Sequence, residues 1–64
     1  MTQRLFTATE KLECVQRELA LRKRVYPRRV ATGKMTQPLA DRQLALMEAI
    51  VADYEPLAKS ERLI

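Results

Sequence analysis

Residues 31–40 read Ala31-Thr32-Gly33-Lys34-Met35-Thr36-Gln37-Pro38-Leu39-Ala40, and this stretch decides the fold. Gly33 is the only glycine in the chain, and glycine is the residue that takes the left-handed conformation just past a helix end. Thr36 has the chemistry of a helix N-cap, and Pro38 behind it suits a first turn, where a missing amide costs nothing. A stop and a start so close together leave only Lys34 and Met35 as a connection. Two helices joined by so short a link fold back on each other as an antiparallel hairpin.

Working upstream, Thr7 stands three residues before Glu10, the spacing of a capping box, with Thr9 a competing cap. From there Leu12, Val15, Leu19 and Tyr26 recur at helical spacing, with Arg22 filling the gap. Cys14, Leu21 and Val25 form a second apolar stripe beside the first, and Glu18 and Arg22 between them are placed for an i,i+4 ion pair. A first helix over about residues 7–32 is therefore expected. Pro27 removes one amide donor and crowds the Lys23 carbonyl, which predicts a kink there. Val30 returns to the apolar face beyond it, so the helix should continue rather than break.

Downstream, Leu39, Gln43, Met47, Ile50, Tyr54 and Leu57 lie on one side of a second helix over about residues 37–56. Leu44, Leu46 and Val51 broaden that side to roughly 160° of arc. Ala45, Ala49 and Ala52 lie opposite, among Asp41, Glu48 and Asp53. Pro56 is expected to end or bend the helix. Residues 1–6 read as a flexible leader with Phe6 its one sticky point, residues 7–58 as the helical domain, and residues 59–64 as a frayed tail.

The chain has 64 residues, 47% of them apolar and 31% charged, with a formal net charge of +4. A core this small rarely supplies more than ~3–5 kcal/mol without a staple, a metal or a second copy. Cys14 is the only cysteine and there is no histidine, so neither an internal disulfide nor a tetrahedral zinc site is expected. Both helices carry more apolar surface than one neighbour covers. The expectation is an all-α hairpin that pairs into a homodimeric four-helix bundle. Leu12, Val15, Leu19, Leu21, Val25, Tyr26, Met47, Ile50 and Tyr54 form its core and dimer contacts. No apolar run approaches the ~18 residues of a membrane span, and no export signal is evident, so a cytoplasmic protein is expected.

Charge is unevenly spread. Residues 1–34 carry nine cations and three carboxylates, and residues 35–64 carry three cations and five carboxylates. Seven of the twelve cations fall between Arg17 and Lys34, where Glu18 is the only acid. Arg17, Arg24 and Arg28 lie within about 40° on the helical wheel, away from the Leu12 stripe. This strip suits docking to an acidic protein surface, or more weakly to a phosphate backbone. It can equally be a solvated face whose late cations complement the helix dipole. Tyr26 is the only ring among the cations, and no helix-turn-helix is evident, so nucleic acid is the secondary reading.

Catalysis is not expected. Ser60 is the sole serine, no glycine-rich phosphate loop exists, and Asp53 and Glu55 lie on different sides of the helix. No cofactor is implied. Cys14 lies on an apolar stripe, which makes buried packing its expected role. Tyr26 and Tyr54 are expected to give apolar area inside the bundle with their hydroxyls at its edge. Met35 at the hairpin tip is the apolar residue that the hairpin itself need not cover.

Lys11-Leu12, Arg24-Val25-Tyr26-Pro27-Arg28, Gly33-Lys34-Met35-Thr36, Ala40-Asp41 and the run from Met47 to Tyr54 together resemble a family of short proteins encoded by phages and prophages of proteobacteria. The resemblance spans roughly residues 11–57. One resembling group, from Mu-like Pseudomonas phages, comprises quorum-sensing anti-activators: small helical dimers that bind the DNA-binding domain of a LuxR-type host regulator and block it. That group is also associated with inhibition of the ATPase that drives type IV pilus extension. Arg29 stands where the family pattern favours an aromatic or aliphatic residue, and Pro38 and Pro56 also depart from it.

The resemblance implies a non-enzymatic accessory protein that inhibits a bacterial host protein, with the alternative of a small nucleic-acid-binding dimeric regulator. The contact surface expected for the host partner is Arg17, Arg24, Arg28, Arg29 and Met35: cations for steering and an apolar tip for a pocket. Because a LuxR-type DNA-binding domain is often basic, Asp41, Glu48 and Asp53 form a rival surface.

Overall fold

The computed structural model describes residues 5–62. Two antiparallel helices make up the fold, α1 (Ala8–Ala31) and α2 (Gln37–Arg62). They form a plate of 46 × 28 × 15 Å, the thickness of a single helix layer.

The start of α1 accounts for every amide that a helix N-terminus leaves without an internal partner. The Thr7 amide donates to Glu10 Oε1 at 2.9 Å, and the Glu10 amide donates to Thr7 Oγ1 at 3.0 Å, completing the capping box. The Ala8 and Thr9 amides donate to the two carboxylate oxygens of Glu61 at 2.8 and 3.0 Å. The far end of the chain thus caps the near one.

At the other end of α1, Gly33 adopts φ +78°. Its amide donates to the Val30 carbonyl at 3.1 Å and the Lys34 amide to the Arg29 carbonyl at 2.9 Å. This pair of bonds is the Schellman arrangement that only a left-handed residue allows without strain. Thr36 then caps α2, its hydroxyl accepting from the Leu39 amide at 3.3 Å.

Pro27 and Pro56 both lie inside helices. α1 is a single helix through Pro27. α2 does not stop near residue 56 but continues through Pro56 to Arg62, so the described part of the expected frayed tail, residues 59–62, is helical. Two contacts hold that extension: Ala58 is fully buried, and Glu61 is bonded to the first turn of α1. Residues 63–64, and residues 1–4 of the expected leader, lie outside the described residues. Leu5 and Phe6 of that leader are exposed.

The helices meet along two rows with alternating spacings of four and three. On α1 the row is Ala8, Leu12, Val15, Leu19, Arg22 and Tyr26; on α2 it is Ala40, Leu44, Met47, Val51, Tyr54 and Ala58. Every member is buried or half-buried. This is the seam of a short antiparallel coiled coil. The α2 row is not the stripe expected from the largest side chains. Leu39, Ile50 and Leu57 are 45%, 38% and 53% exposed, whereas Ala40 and Ala58 are 2% and 0%. Alanines are the most deeply buried residues at both ends of the α2 row, and the leucine stripe lies outside the contact.

Among the residues assigned to core or dimer contacts, Leu12 and Leu19 are buried, and Val15, Val25, Tyr26, Met47 and Tyr54 are half-buried. Leu21 and Ile50 are exposed in the single chain. So is Cys14, contrary to its expected packing role, because the second stripe of α1 faces away from α2. Among the described residues, no helix is long and apolar enough to cross a membrane.

Candidate interaction surface

The hairpin's two broad sides differ in chemistry. On one, Lys23 Nζ bridges to Glu48 Oε2 at 3.3 Å, and Thr9, Gln16, Glu55 and Lys59 are among the residues lining a smaller groove. The other side carries a groove of about 690 Å³, whose lining includes Phe6, Lys11, Cys14, Ile50 and Tyr54. Ile50 and Cys14 therefore face the same way. At about 100° per residue, Leu39, Leu46 and Leu57 share the Ile50 direction on α2, and Leu21 and Val25 share the Cys14 direction on α1. The result is two apolar stripes on one side of the plate, one on each helix, with Lys11, Glu18 and Arg22 between them. Single exposed apolar side chains are ordinary on a protein surface; a row of them along each helix makes this side the candidate interaction surface.

A charged network lies across this face. Arg22 Nε donates to Glu18 Oε2 at 2.9 Å, and its terminal nitrogen donates to the Tyr26 hydroxyl at 3.3 Å. The hydrogen bond to Glu18 holds the Arg22 guanidinium above its ordinary pKa. Tyr26 therefore keeps its ring in the seam and its hydroxyl at the rim beside a charge. The Lys11 ammonium lies 5.9 Å from the centroid of the Tyr54 ring, within cation–π range.

The structure brings most of the expected partner-binding residues together, but not all. Arg17, Arg24 and Arg28 are exposed along the outer edge of α1, and Arg29 is exposed near the tip. None of the four forms an ion pair among the described residues. Met35 is half-buried rather than projecting, so it is not the free apolar tip that was expected; the connection is short enough to tuck it against the helix ends. Within the rival acidic set, Glu48 is engaged by Lys23 and Asp41 by Gln37, at 3.3 and 2.9 Å. Asp53 remains exposed.

Pairing by helix hides how charge is disposed in space. Folding the chain in two places residues 22–48 in the tip half, with seven cations and two carboxylates. The other described residues, in the open half, carry four cations and six carboxylates. The plate is electrically polarised along its length, basic at the connection and acidic at the chain ends. The sequence contained this pattern, but the hairpin register is needed to see it.

Among the described residues, no group of histidine, cysteine or carboxylate side chains is arranged to hold a metal ion. Comparison with protein-family models, curated proteins and solved structures gives no match for this chain.

Proposed function

We propose that this protein is a non-enzymatic phage or prophage accessory protein that dimerises through its apolar face and binds a host protein with its basic edge. The observation that carries this reading is the adjacency of the two surfaces. Leu21, Leu39, Leu46, Ile50 and Leu57 form a patch too apolar to leave in water, and Arg17, Arg24 and Arg28 run along its margin without carboxylate partners. A second hairpin on the patch makes a homodimeric four-helix bundle and leaves the arginines at the rim, where charge governs steering and partner choice. A bend in α1 at Pro27, where the proline ring crowds the preceding turn, would angle the tip toward a partner.

The family resemblance supplies candidate targets: the DNA-binding domain of a LuxR-type quorum-sensing regulator and the type IV pilus extension ATPase. Target choice is tested with purified components. Binding of each candidate is measured for the native chain and for the double reversal Arg24→Glu with Arg28→Glu. A loss of about tenfold or more in affinity is the expected result. Unchanged binding would remove the basic edge from the interface and favour Asp53 and its neighbours. Operator-specific DNA binding that weakens steeply with salt would replace this reading with that of a nucleic-acid-binding regulator.

A further inference from the structure

We infer that the two copies pack antiparallel end to end, the basic tip of each hairpin lying over the acidic open end of the other, which places the dimer's two basic tips at opposite ends. The inference rests on the dimer reading above and adds the geometry. Lys23 pairs with Glu48, and Glu61 with Ala8 and Thr9. Residues on the two helices whose numbers sum to about 70 therefore stand at one level. Leu21 and Ile50 then share the middle level of the plate. Val25 with Leu46 lies on the tip side of them, and Cys14 with Leu57 on the open side.

With Leu39 still nearer the tip, this apolar pattern is close to symmetric about a level midway between Leu21 and Val25, so a second plate can cover it in either of two ways. A two-fold axis along the helices sets tip on tip. An axis across them, midway between the Leu21 and Val25 levels, sets tip on open end and brings each Glu18 level with Arg28 of the other copy. A plate of 46 × 28 Å is large enough in either case for the ~800 Å² per partner of a stable interface. Burial therefore does not choose between them.

Charge does. Tip on tip brings two halves of seven cations and two carboxylates together, including Arg28, Arg29, Lys34 and Arg42 from each copy. Tip on open end instead sets each of them against a half with, among the described residues, six carboxylates and four cations. The separations across a helix-packed interface are about 10 Å, within reach of unscreened charge at ordinary salt. A homodimer built this way carries two separate basic tips rather than one composite tip, and would engage two host molecules.

Distance measurement between spin labels tests the arrangement. In the full chain carrying Cys14→Ser, the exposed Lys34 is replaced by Lys34→Cys and labelled. The expected label separation approaches the 46 Å length of one protomer. Mixing this chain with one labelled at Ser60→Cys should give a short separation, about 20 Å or less for two helix layers. Dimer affinity should fall about threefold or more between ~50 and ~500 mM salt, because the attraction is between opposite charges. A short separation between the two Lys34 labels, or a dimer that tightens with salt, overturns the end-to-end arrangement and leaves the dimer in place. A monomer mass in sedimentation, with circular dichroism showing intact helix, overturns both.

Discussion

Glu61 and Thr9 are 52 positions apart in the chain, yet the Glu61 carboxylate accepts both the Thr9 amide and the Thr9 hydroxyl, at 3.0 and 2.7 Å. Its other oxygen takes the Ala8 amide at 2.8 Å. One carboxylate thus satisfies two of the four amides that α1 leaves open and sits at the positive end of the helix dipole. The same contact anchors the last turn of α2 beyond Pro56. Removing it should loosen both ends of the chain at once.

Glu61→Ala is expected to lower stability by about 1 kcal/mol, the usual cost of a lost helix cap. Hydrogen exchange would locate the effect: the amides of Ala8 and Thr9 and those of residues 57–62 should exchange faster together. Faster exchange at residues 57–62 with Ala8 and Thr9 still protected would show that Glu61 does not couple the two ends.

Gly33 offers a cleaner backbone test, because a Cβ placed there meets nothing within 4 Å. Any loss in Gly33→Ala comes from the φ of +78° alone. The expected cost is ~1–2 kcal/mol, the difference between left- and right-handed backbone for an ordinary residue. Thermal unfolding of the variant measures it. A substitution with no effect on the melting temperature would mean that the connection relaxes freely into another turn.

Ala58 has no exposed surface, so the seam at the open end has no room for a larger side chain. Ala58→Leu should destabilise by ~1–3 kcal/mol through overpacking, whereas Leu57→Ala, at an exposed neighbour, should leave the single hairpin nearly unchanged and weaken only self-association. Denaturant midpoints measured with sedimentation separate the two effects. If both substitutions behaved alike, the seam would have been assigned to the wrong row.

Arg22 holds a seam position that an aliphatic residue would fill in a conventional coiled coil. Its pKa is raised in the fold by the hydrogen bond to Glu18. A raised value means that the stabilisation it brings is whole below the unfolded-state pKa and is lost only as pH climbs through the folded-state value. For an arginine, that window lies well above neutrality. The stability difference between the native chain and Arg22→Gln should therefore stay constant from about pH 6 to about pH 9. A difference that disappears within that range would show that the guanidinium is not the group responsible.

Much of the hairpin was readable before any coordinates. Thr7 with Glu10, Gly33, Thr36 and the Glu18–Arg22 pair are local devices, complete within four residues, and each behaves as its spacing dictates. What could not be read locally was which apolar stripe would become the seam. A helix with a wide apolar arc can turn any part of it inward, and hydrophobicity alone favours the leucines. Steric fit chose the alanines instead, because close approach of two axes needs small side chains at both ends of the contact.

The same division holds for the termini and the surface. Pro56 is a helix breaker by local chemistry, but a buried Ala58 and the bonded Glu61 outweigh one missing amide. The exposure of Ile50 follows from the rotation of the α2 seam, that of Cys14 and Leu21 from their place on the second stripe of α1, and the basic tip from folding the chain in two. Amino-acid order was sufficient for helix, cap and turn, since those depend on neighbours a few residues away. Seam choice, end-to-end capping and charge polarity needed the third dimension, since each depends on groups tens of residues apart competing for the same space.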